Sequence, residues 1–351
     1  MKIFVNARFL TQPVSGVQRY GIECSRQIKK LYPDAVFVAP GNILHKEIAE
    51  ELGVQIVGRR TGHFWEQLDL PLFLRRAGSP PLFSPANTAP LMYRNNYFTL
   101  HDLAFHHHPE WNSKAFSLWY NIMVPRLVRN CKHIFTVSET MRGEIIKYYK
   151  APSSKISVTY NGLSQQMLAS HGRNSKPKEK IILAVGTFNK RKNHQNLVKA
   201  FLASAVKDEY QLVMVGDRNR VFAESGLDES LLKNTNITIY ERLSSEELIS
   251  LYAKAEILVS LSVYEGFGIP ILEGLYSGCK VVCSDIDVYR ELYIGQVSFC
   301  DPNDVSGISM ALNKVASEPL NTTKESIGLL LTKYNYATSA QVIIEQMVSN
   351  K

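Results

Sequence analysis

The stretch "EILVSLSVYEGFGIPILEGLYSG" (residues 256–278) joins an apolar β-like run, a glycine-rich loop and a helical pattern. A short apolar strand followed by a loop and a helix is the repeating unit of parallel α/β sheets. Pro270 suits the start of a helix, because its missing N–H removes no hydrogen bond there. Gly266 and Gly268 allow the backbone to approach a ligand closely. The stretch therefore predicts a strand–loop–helix unit with a ligand site at its loop.

Two glutamates flank this loop. The pattern predicts that Glu265 lies in the loop and that Glu273 lies in the first turn of the helix. A carboxylate accepts hydrogen bonds from vicinal hydroxyls, and the N–H groups of a helix start favour an anion, so a sugar or ribose linked to phosphate is a natural ligand. The alternative is that Glu273 only complements the helix dipole and Glu265 is a solvated loop acid.

A second unit of this kind is "ILAVGTFNKRKNHQNLVKAF" (residues 182–201). Arg191 and Lys192 precede its predicted helix, where two cations are unfavourable unless an anion joins them. A diphosphate would satisfy both, with Lys192 as a point charge and Arg191 as a forked donor. The segment lacks the G-x-x-x-x-G-K-[ST] pattern of a P-loop. A solvated basic turn is the alternative interpretation.

The first half carries weaker signals. Gly16 follows the opening strand and precedes a helix, which gives a third possible phosphate site. His101 and Asp102 come just after a strand in "YFTLHDLAF", where His101 is a candidate donor to a sugar hydroxyl or a structural histidine. The three consecutive histidines at 106–108 do not predict a metal site, because adjacent side chains in one loop do not converge on a common point.

Apolar runs alternate with helical patterns along the whole chain, which predicts two doubly wound α/β domains. The polar, basic segment at 169–180 is the best linker candidate, so we place the domains at 1–172 and 173–335, with a final helix at about 336–351. No run approaches the ~20 apolar residues of a membrane span, and the opening residues do not predict a signal peptide. The five cysteines, with no C-x-x-C, indicate reduced thiols in the cytosol.

The charge is unevenly distributed. Residues 1–175 carry 21 Lys and Arg against 11 Asp and Glu, a net +10, and the remaining residues carry 19 against 21, a net −2. A basic first half predicts that one domain meets an anionic partner, either a phospholipid surface, a phosphorylated substrate or a nucleic acid, unless the charge serves only solubility. No nucleic-acid-binding module is recognisable, so a nucleic acid is not expected.

The segment "SVYEGFGIPILEGLYSGCKVVCSD" resembles the E-x7-E region of retaining glycosyltransferases of family 4. The likeness continues in "VGTFNKRKNHQNLVKAF", "LSSEELISLYAKAEILVSLS", "LHDLAF", "TVSETMR" and "VTYNGL". The segments "FWEQLDLP" and "FSPANTAPL" are similar to the bacterial surface-polysaccharide mannosyltransferase-like branch. These blocks follow the family order over nearly the whole chain, from about residue 3 to 346.

The resemblance implies a GT-B fold: two Rossmann-like domains facing a cleft, with the last helix crossing back to the first domain. It implies that Glu265 contacts donor-sugar hydroxyls, that Lys192 and Arg191 hold the diphosphate, and that His101 lies near the reacting carbon as the fourth catalytic residue. Further donor contacts are implied at Gly16, Gly186, Thr187, Tyr240, Arg242, Leu243, Gly266, Phe267, Gly268, Ile269 and Glu273, and acceptor-side contacts at Asp102, Ser138 and Glu139. Many family members have arginine where this chain has Thr187, which places more of the phosphate charge on Lys192 and Arg191.

The implied reaction transfers a hexosyl group, with GDP-mannose slightly preferred, from a nucleotide-diphospho sugar to a lipid-linked or oligosaccharide acceptor, without a metal or other cofactor. The product would belong to bacterial O-antigen, capsule or exopolysaccharide synthesis. The basic first half, where aromatics mingle with arginines in "FSLWYNIMVPRLVRN", predicts peripheral contact with the inner face of the cell membrane. Two alternatives stay open: a sugar-nucleotide 2-epimerase of the same fold, and a non-catalytic sugar-nucleotide-binding scaffold.

Overall fold

The computed structural model describes residues 2–170, 177–216, 236–241, 243–320 and 323–349. Contacts divide the chain into two compact units, one formed by Met1–Asn161 with Tyr334–Lys351 and the other by Gly162–Lys333. We call them unit 1 and unit 2. The domain boundary predicted at residue 172, and the predicted donor contact Arg242, lie outside the described residues.

Unit 1 contains a parallel sheet of seven strands in the order β3-β2-β1-β4-β5-β6-β7. Central strands such as "FVN" and "LFS" are buried along their whole length, as expected for a sheet covered on both faces. The strands are β1 Phe4–Asn6, β2 Val36–Ala39, β3 Gln55–Ile56, β4 Leu82–Ser84, β5 Asn96–Thr99, β6 His133–Thr136 and β7 Ile156–Val158.

Helices connect these parallel strands, because a parallel pair needs a crossover. Helix α3 runs into α4 through a π-helical turn at Trp65–Asp69. The helices of this part of the chain are α1 Gly16–Leu31, α2 Lys46–Leu52, α3 Gly62–Phe64, α4 Leu70–Arg76, α5 Ala104–His107, α6 Lys114–Asn130 and α7 Glu139–Tyr149.

Unit 2 contains a parallel sheet of six described strands in the order β10-β9-β8-β11-β12-β13. One apolar cluster, including Leu197, Leu212 and Ile257, packs helices on this sheet. The strands are β8 Glu179–Val185, β9 Gln211–Val215, β10 Ile237–Tyr240, β11 Ala255–Ser260, β12 Lys280–Ser284 and β13 Ser298–Cys300. The helices are α8 Gln165–Ala169, α9 His194–Ala203, α10 Ser245–Lys254, α11 Ile269–Tyr276, α12 Asp287–Tyr293, α13 Val305–Ser317 and α14 Lys324–Lys333.

The final helix, α15 (Tyr336–Ser349), belongs to unit 1. It packs along α1, and Ser339 donates to the backbone carbonyl of Tyr160 at 2.7 Å. The ring of Tyr336 meets the ring of Tyr20 edge-on. The predicted α/β class and the return of the last helix to the first domain are therefore confirmed.

In both sheets, successive strands are added first on one side of the first strand and then on its other side. In unit 1 the reversal lies between β1 and β4, and in unit 2 it lies between β8 and β11. In open parallel sheets, ligands bind beyond the carboxyl ends of the strands at such a switch point. The fold thus identifies one expected ligand position in each unit, at the residues that follow these four strands.

Candidate functional site

The switch point of unit 2 brings together three of the predicted catalytic residues. Arg191 and Lys192 lie in a 3-10 turn, Lys190–Lys192, between β8 and α9, and Glu265 follows β11. The backbone N–H of Val263 donates to the carbonyl of Arg191 at 2.9 Å, which fixes the basic turn to the acidic loop. The two segments are about 70 residues apart in sequence and form one site in the fold.

Glu265 is buried and paired with both cations. Nζ of Lys192 lies 2.6 Å from Oε1 of Glu265, and Nη1 of Arg191 lies 3.9 Å from Oε2. Burial raises the pKa of Glu265, but Arg191 and Lys192 outweigh burial and hold this pKa at about 2. The carboxylate is therefore ionised at neutral pH and is too weak a base to take up protons there.

Gly186 gives Lys192 its path to Glu265. Its φ is +153°, and a Cβ on Gly186 would lie 3.0 Å from Cε of Lys192. Thr187 is exposed and accepts a hydrogen bond from the side-chain amide of Asn189 at 3.1 Å. The Thr187 hydroxyl thus supports Asn189, whose side chain caps the basic turn by accepting from the N–H of Lys192 at 3.2 Å.

Gly268 begins the helix after Glu265 in a left-handed conformation. Its φ is +89°, and a Cβ there would lie 2.5 Å from Cε1 of Tyr289. The Tyr293 hydroxyl donates to the carbonyl of Gly268 at 3.2 Å, and the buried ring of Phe267 meets Tyr293 edge-on. The turn from Gly266 to Ile269 is therefore held against α12.

Glu273 lies in α11, the helix that follows the Glu265 loop. The helix starts at Ile269, so its first turn holds no acidic residue and the predicted first-turn position of Glu273 is wrong by one residue. Glu273 is buried and accepts a hydrogen bond from the Tyr252 hydroxyl at 2.7 Å. The early left-handed turn at Gly268 ends the loop sooner than the sequence pattern suggested.

Other predicted donor contacts lie at the ends of neighbouring elements. Tyr240 ends β10 with 42% of its surface exposed, and its carbonyl accepts from the N–H of Gly216 at 3.0 Å. Leu243 is half-buried just before α10. Both lie on the carboxyl side of their sheet, as a nucleotide base contact requires, although neither touches the Lys192–Glu265 pair in the described contacts.

His194 was missed by the sequence interpretation. It begins α9, two residues after Lys192, and is 4% exposed. Burial, and then Lys192, lower the pKa of His194 to about 3. Its Nδ1 is buried without a hydrogen-bond partner among the described residues. A neutral imidazole beside the basic turn adds a polar group without adding charge.

In unit 1 the predicted catalytic His101 is buried after β5. Its Nε2 donates to the carbonyl of Pro85 at 2.7 Å, and its ring meets Tyr20 edge-on at 4.8 Å. Burial lowers the pKa of His101, against the opposing effects of Pro85 and Asp102. A neutral ring that donates from Nε2 has no proton on Nδ1, which can then only accept a hydrogen bond. To donate to a sugar hydroxyl as well, His101 would need a second proton on Nδ1, and burial disfavours that charged form.

The remaining predicted residues of unit 1 have local roles. Gly16 is exposed at the start of α1. Asp102 accepts from the N–H of Ala104 at 3.1 Å. Ser138 caps α7 through the N–H of Met141, and Glu139 is exposed in the first turn of α7 and paired with Arg142. Asp102 and Ser138 follow the neighbouring strands β5 and β6, and thus share one sheet edge.

The three histidines at 106–108 point to different partners. His106 contacts the side-chain Oδ1 of Asn121 at 3.2 Å, and His107 contacts Glu144 at 3.1 Å. His108 contacts Glu110 at 3.1 Å and stacks on Trp111. Within the described ranges, no group of three or more His, Cys, Asp or Glu side chains has a metal-binding arrangement.

A second buried ion pair, absent from the sequence interpretation, lies at the switch point of unit 1. Nε of Arg8 lies 3.2 Å from Oε1 of Glu66, and both side chains are under 10% exposed. Burial raises the pKa of Glu66, but Arg8, His63 and Thr88 together outweigh burial and hold this pKa at about 2. Glu66 lies in "FWEQLDLP" and its partner Thr88 lies in "FSPANTAPL". The resemblance of these two segments to the mannosyltransferase-like branch is the sequence feature that could have identified this ion pair.

Comparison with known proteins agrees with this geometry. The profile of Glycosyltransferase Family 4 matches residues 14–166, and that of Glycosyl transferases group 1 matches residues 169–328. The chain belongs to these glycosyltransferases. An O-antigen chain mannosyltransferase of Salmonella typhimurium is 27% identical, with 99% of this chain and 100% of the relative aligned. O-antigen chain mannosyltransferase B of Escherichia coli is 30% identical over 60% of this chain and 58% of that protein.

Solved structures show the same fold for this glycosyltransferase. A glycosyltransferase from Rickettsia africae has a TM-score of 0.73 at 18% identity, covering 100% of this chain and 99% of its own. Anabaena HepE, in complex with UDP and glucose, has a TM-score of 0.76 at 16% identity, covering 99% and 100%. The predicted GT-B class is therefore confirmed. Among the described helices, none combines the length and the apolar character that a bilayer crossing needs.

Proposed function

We propose that this glycosyltransferase retains anomeric configuration and moves a hexosyl group from a nucleotide-diphospho sugar to a hydroxyl of a lipid-linked or oligosaccharide acceptor. The observation that carries the proposal is the buried Lys192–Glu265 pair, with Arg191, at the switch point of unit 2. It supplies two cations for a diphosphate and one ionised carboxylate for sugar hydroxyls at a single site.

Charge develops on the leaving diphosphate when the glycosidic bond breaks, and stabilising that charge is the main electrostatic requirement of the reaction. Lys192 has a flexible stem, so its Nζ can exchange Glu265 for a phosphate oxygen. Arg191 adds a planar, forked donor at the same turn. Positive charge of this kind requires no metal ion, and we propose that the reaction uses none.

Glu265 acts as a hydroxyl acceptor in this scheme. Once Lys192 bonds to phosphate, Oε1 of Glu265 is released to accept from donor-sugar hydroxyls. A pKa of about 2 makes Glu265 unsuited to protonate a leaving group, which separates it from the raised-pKa acid of glycoside hydrolases. Glu273 is proposed to accept from the ribose hydroxyls, and Gly16 and His101 stay predicted donor contacts.

GDP-mannose is the preferred donor in this proposal. The support is the name shared by the relatives from Salmonella typhimurium and Escherichia coli, both O-antigen chain mannosyltransferases. The same names support O-antigen, capsule or exopolysaccharide synthesis as the process. A lipid-linked acceptor is supported by a relative from Campylobacter jejuni that acts on a diphospho-undecaprenol-linked saccharide.

The test is a panel of GDP-, UDP- and dTDP-sugars incubated with a crude lipid-linked saccharide fraction, with release of nucleoside diphosphate as the readout. We expect release from GDP-mannose, dependent on the acceptor fraction and unchanged in EDTA. NMR of the product is expected to show the anomeric configuration of the donor. Conversion of the donor without any acceptor would support the epimerase instead, and binding without turnover would support the scaffold.

Peripheral contact with the inner face of the cell membrane is proposed for unit 1. Helix α6 exposes the apolar side chains of Phe116, Leu118 and Ile122, with Arg126 and Arg129 also exposed. Apolar side chains beside arginines suit the headgroup region of an anionic bilayer. We expect co-flotation with phosphatidylglycerol vesicles at low salt and none with phosphatidylcholine vesicles. Equal co-flotation with the two kinds of vesicle would contradict this contact.

A further inference from the structure

The hydrogen bonds of Glu66 in unit 1 are unequally shared between its two oxygens. Oε1 accepts from Nδ2 of Asn6 at 2.9 Å, from Nε of Arg8 at 3.2 Å and from Oγ1 of Thr88 at 3.0 Å. Oε2 is buried and accepts no hydrogen bond from any described residue. An ionised oxygen without a donor is costly in a protein interior, so the site has unused capacity for one hydroxyl or N–H.

The position of this carboxylate is the one where a ligand is expected. Asn6 ends β1 and Ser84 ends β4, the two strands on either side of the switch point, and Asn6 bonds to both Glu66 and Ser84. Glu66 reaches this edge from the π-helical turn between α3 and α4. Turns of this kind occur frequently at functional sites, because they redirect one side chain out of the helical register.

His63 covers the unbonded oxygen. Its Nδ1 lies 3.6 Å from Oε2 of Glu66, which forms an ion pair when the ring is protonated, and His63 lowers the pKa of Glu66. A neutral ring gives Oε2 no hydrogen bond, and Nδ1 has no hydrogen-bond partner among the described residues. The His63 side chain is 41% exposed, and its ring meets Trp119 edge-on. A ring with this exposure can turn without opening the core, and turning it uncovers Oε2.

We propose that Glu66 Oε2, uncovered by His63, binds a hydroxyl of the saccharide acceptor. The hydroxyl donates to Oε2 and occupies the place that the imidazole covers. Arg8, His63 and Thr88 lower the pKa of Glu66 against burial, and the contacts of Arg8 and Thr88 to Oε1 do not depend on the position of the His63 ring. The carboxylate therefore binds and orients the hydroxyl as an acceptor and does not take its proton. The inference deepens the proposed transferase function and rests on it.

Tyr120 connects this carboxylate with the predicted acceptor side. Burial raises the pKa of the Tyr120 phenol to about 12, and Arg8, Glu66 and Asp102 all act on the same phenol electrostatically. Asp102, predicted from the sequence to lie on the acceptor side, therefore acts on the same phenol as the Arg8–Glu66 pair. A saccharide bound at Oε2 lies among polar groups from β1, β4 and β5.

The test compares Glu66→Gln with the wild-type chain in two assays. The first assay measures the acceptor KM by titrating one preparation of the lipid-linked saccharide fraction that supports turnover. The second measures affinity for the nucleoside diphosphate by calorimetry. We expect Glu66→Gln to raise the acceptor KM at least tenfold, with the nucleoside diphosphate Kd within twofold of wild type. Glu23→Gln, which changes another buried carboxylate paired with an arginine, is the matched control and is expected to keep the wild-type KM.

An acceptor KM within twofold of wild type in folded Glu66→Gln would overturn the inference while leaving the transferase function intact. If Glu66→Gln does not fold, His63→Phe tests the inference instead. This variant keeps the ring packing and the Arg8–Glu66 pair, and it places an apolar ring over Oε2. We expect His63→Phe to raise the acceptor KM about tenfold, and an unchanged value would overturn the inference. Absence of nucleotide binding and turnover in the wild-type chain would instead refute the proposed function.

Discussion

The two units place a buried glutamate beside cationic side chains at the same topological position. In unit 2 Glu265 faces Lys192 and Arg191, and in unit 1 Glu66 faces Arg8. Opposite charge outweighs burial in both, so both carboxyl pKa values are about 2. The electrostatics of the two sites are thus alike, although the first lies in βα loops and the second reaches the sheet edge from a helix.

The hydrogen bonds distinguish the two sites. Both oxygens of Glu265 face a cation, and one of these cations is a lysine on a flexible stem. Glu66 has one oxygen fixed by three donors, and the other accepts no hydrogen bond from the described residues and lies 3.6 Å from Nδ1 of His63. A pair that can exchange partners suits an anionic ligand, whereas a fixed carboxylate with one unbonded oxygen suits a neutral hydroxyl. The difference supports a donor site in unit 2 and an acceptor site in unit 1.

The largest expected effect is on the stability of unit 1. Removing one partner of a buried ion pair typically costs about 3–5 kcal/mol, so we expect Glu66→Ala to lower the free energy of unfolding of unit 1 by that amount. Glu265→Ala should cost unit 2 less, because the side chains that lose this carboxylate, Arg191 and Lys192, are 22% and 13% exposed and regain water more easily than Arg8, which is 8% exposed.

The three tryptophans make this comparison measurable. Trp65, Trp111 and Trp119 all lie in unit 1, so their fluorescence in urea follows that unit, while far-UV circular dichroism follows both. Equal losses for the two alanine variants would contradict the distinction between a fixed and an exchangeable pair.

Lys192→Ala should reduce turnover about a hundredfold. Loss of one donor to a developing charge commonly costs ~3 kcal/mol of transition-state stabilisation. Initial rates of nucleoside diphosphate release at saturating donor and acceptor measure this effect. Lys190→Ala, an exposed lysine in the same turn, is the matched control and should keep near-normal rates. A Lys192→Ala enzyme as fast as this control would remove Lys192 from the phosphate site.

Gly268→Ala should destabilise unit 2 by about 2 kcal/mol. A left-handed conformation costs an alanine about 1–2 kcal/mol, and the new Cβ would lie 2.5 Å from Tyr289. Gly328→Ala is the matched control in the same unit, since a Cβ there meets no atom within 4 Å inside α14. We expect that control to raise the free energy of unfolding by about 0.5–1 kcal/mol, because glycine in a helix interior is destabilising relative to alanine. Urea titration by circular dichroism compares both variants.

The smallest expected effect is a pH dependence of unit 2. His194 has a lowered pKa of about 3, so it is neutral in the fold, whereas an unfolded histidine gains a proton as pH falls below about 6.5. Stability therefore declines below pH 6.5, by about 1 kcal/mol at pH 5.5 for one such histidine. The stability contributed by Glu265 is lost later, between pH 4.5 and about 2. His194→Leu should flatten the decline between pH 7 and 5.5, and an unaltered slope would contradict this assignment.

The sequence indicated the candidate residues of unit 2 because they lie in the loops that follow two strands. Lys192 follows β8 and Glu265 follows β11, so strand patterns and glycine-rich loops identify both. Glu66 lies 58 residues from Arg8 within a helical segment, and no local pattern shows that a π-helical turn points it at the sheet edge. Long-range pairing of buried polar groups depends on register and helix packing, which single-sequence patterns do not define.

Hydrogen exchange of the full chain tests most directly whether the two switch points hold two different substrates. With the nucleotide sugar selected by the donor panel, we expect protection of residues 186–193 and 262–269 and no change in residues 59–67. Addition of the acceptor fraction should then protect residues 59–67. Protection of residues 59–67 by the donor alone, or no protection of residues 186–193, would contradict the assignment of donor to unit 2 and acceptor to unit 1.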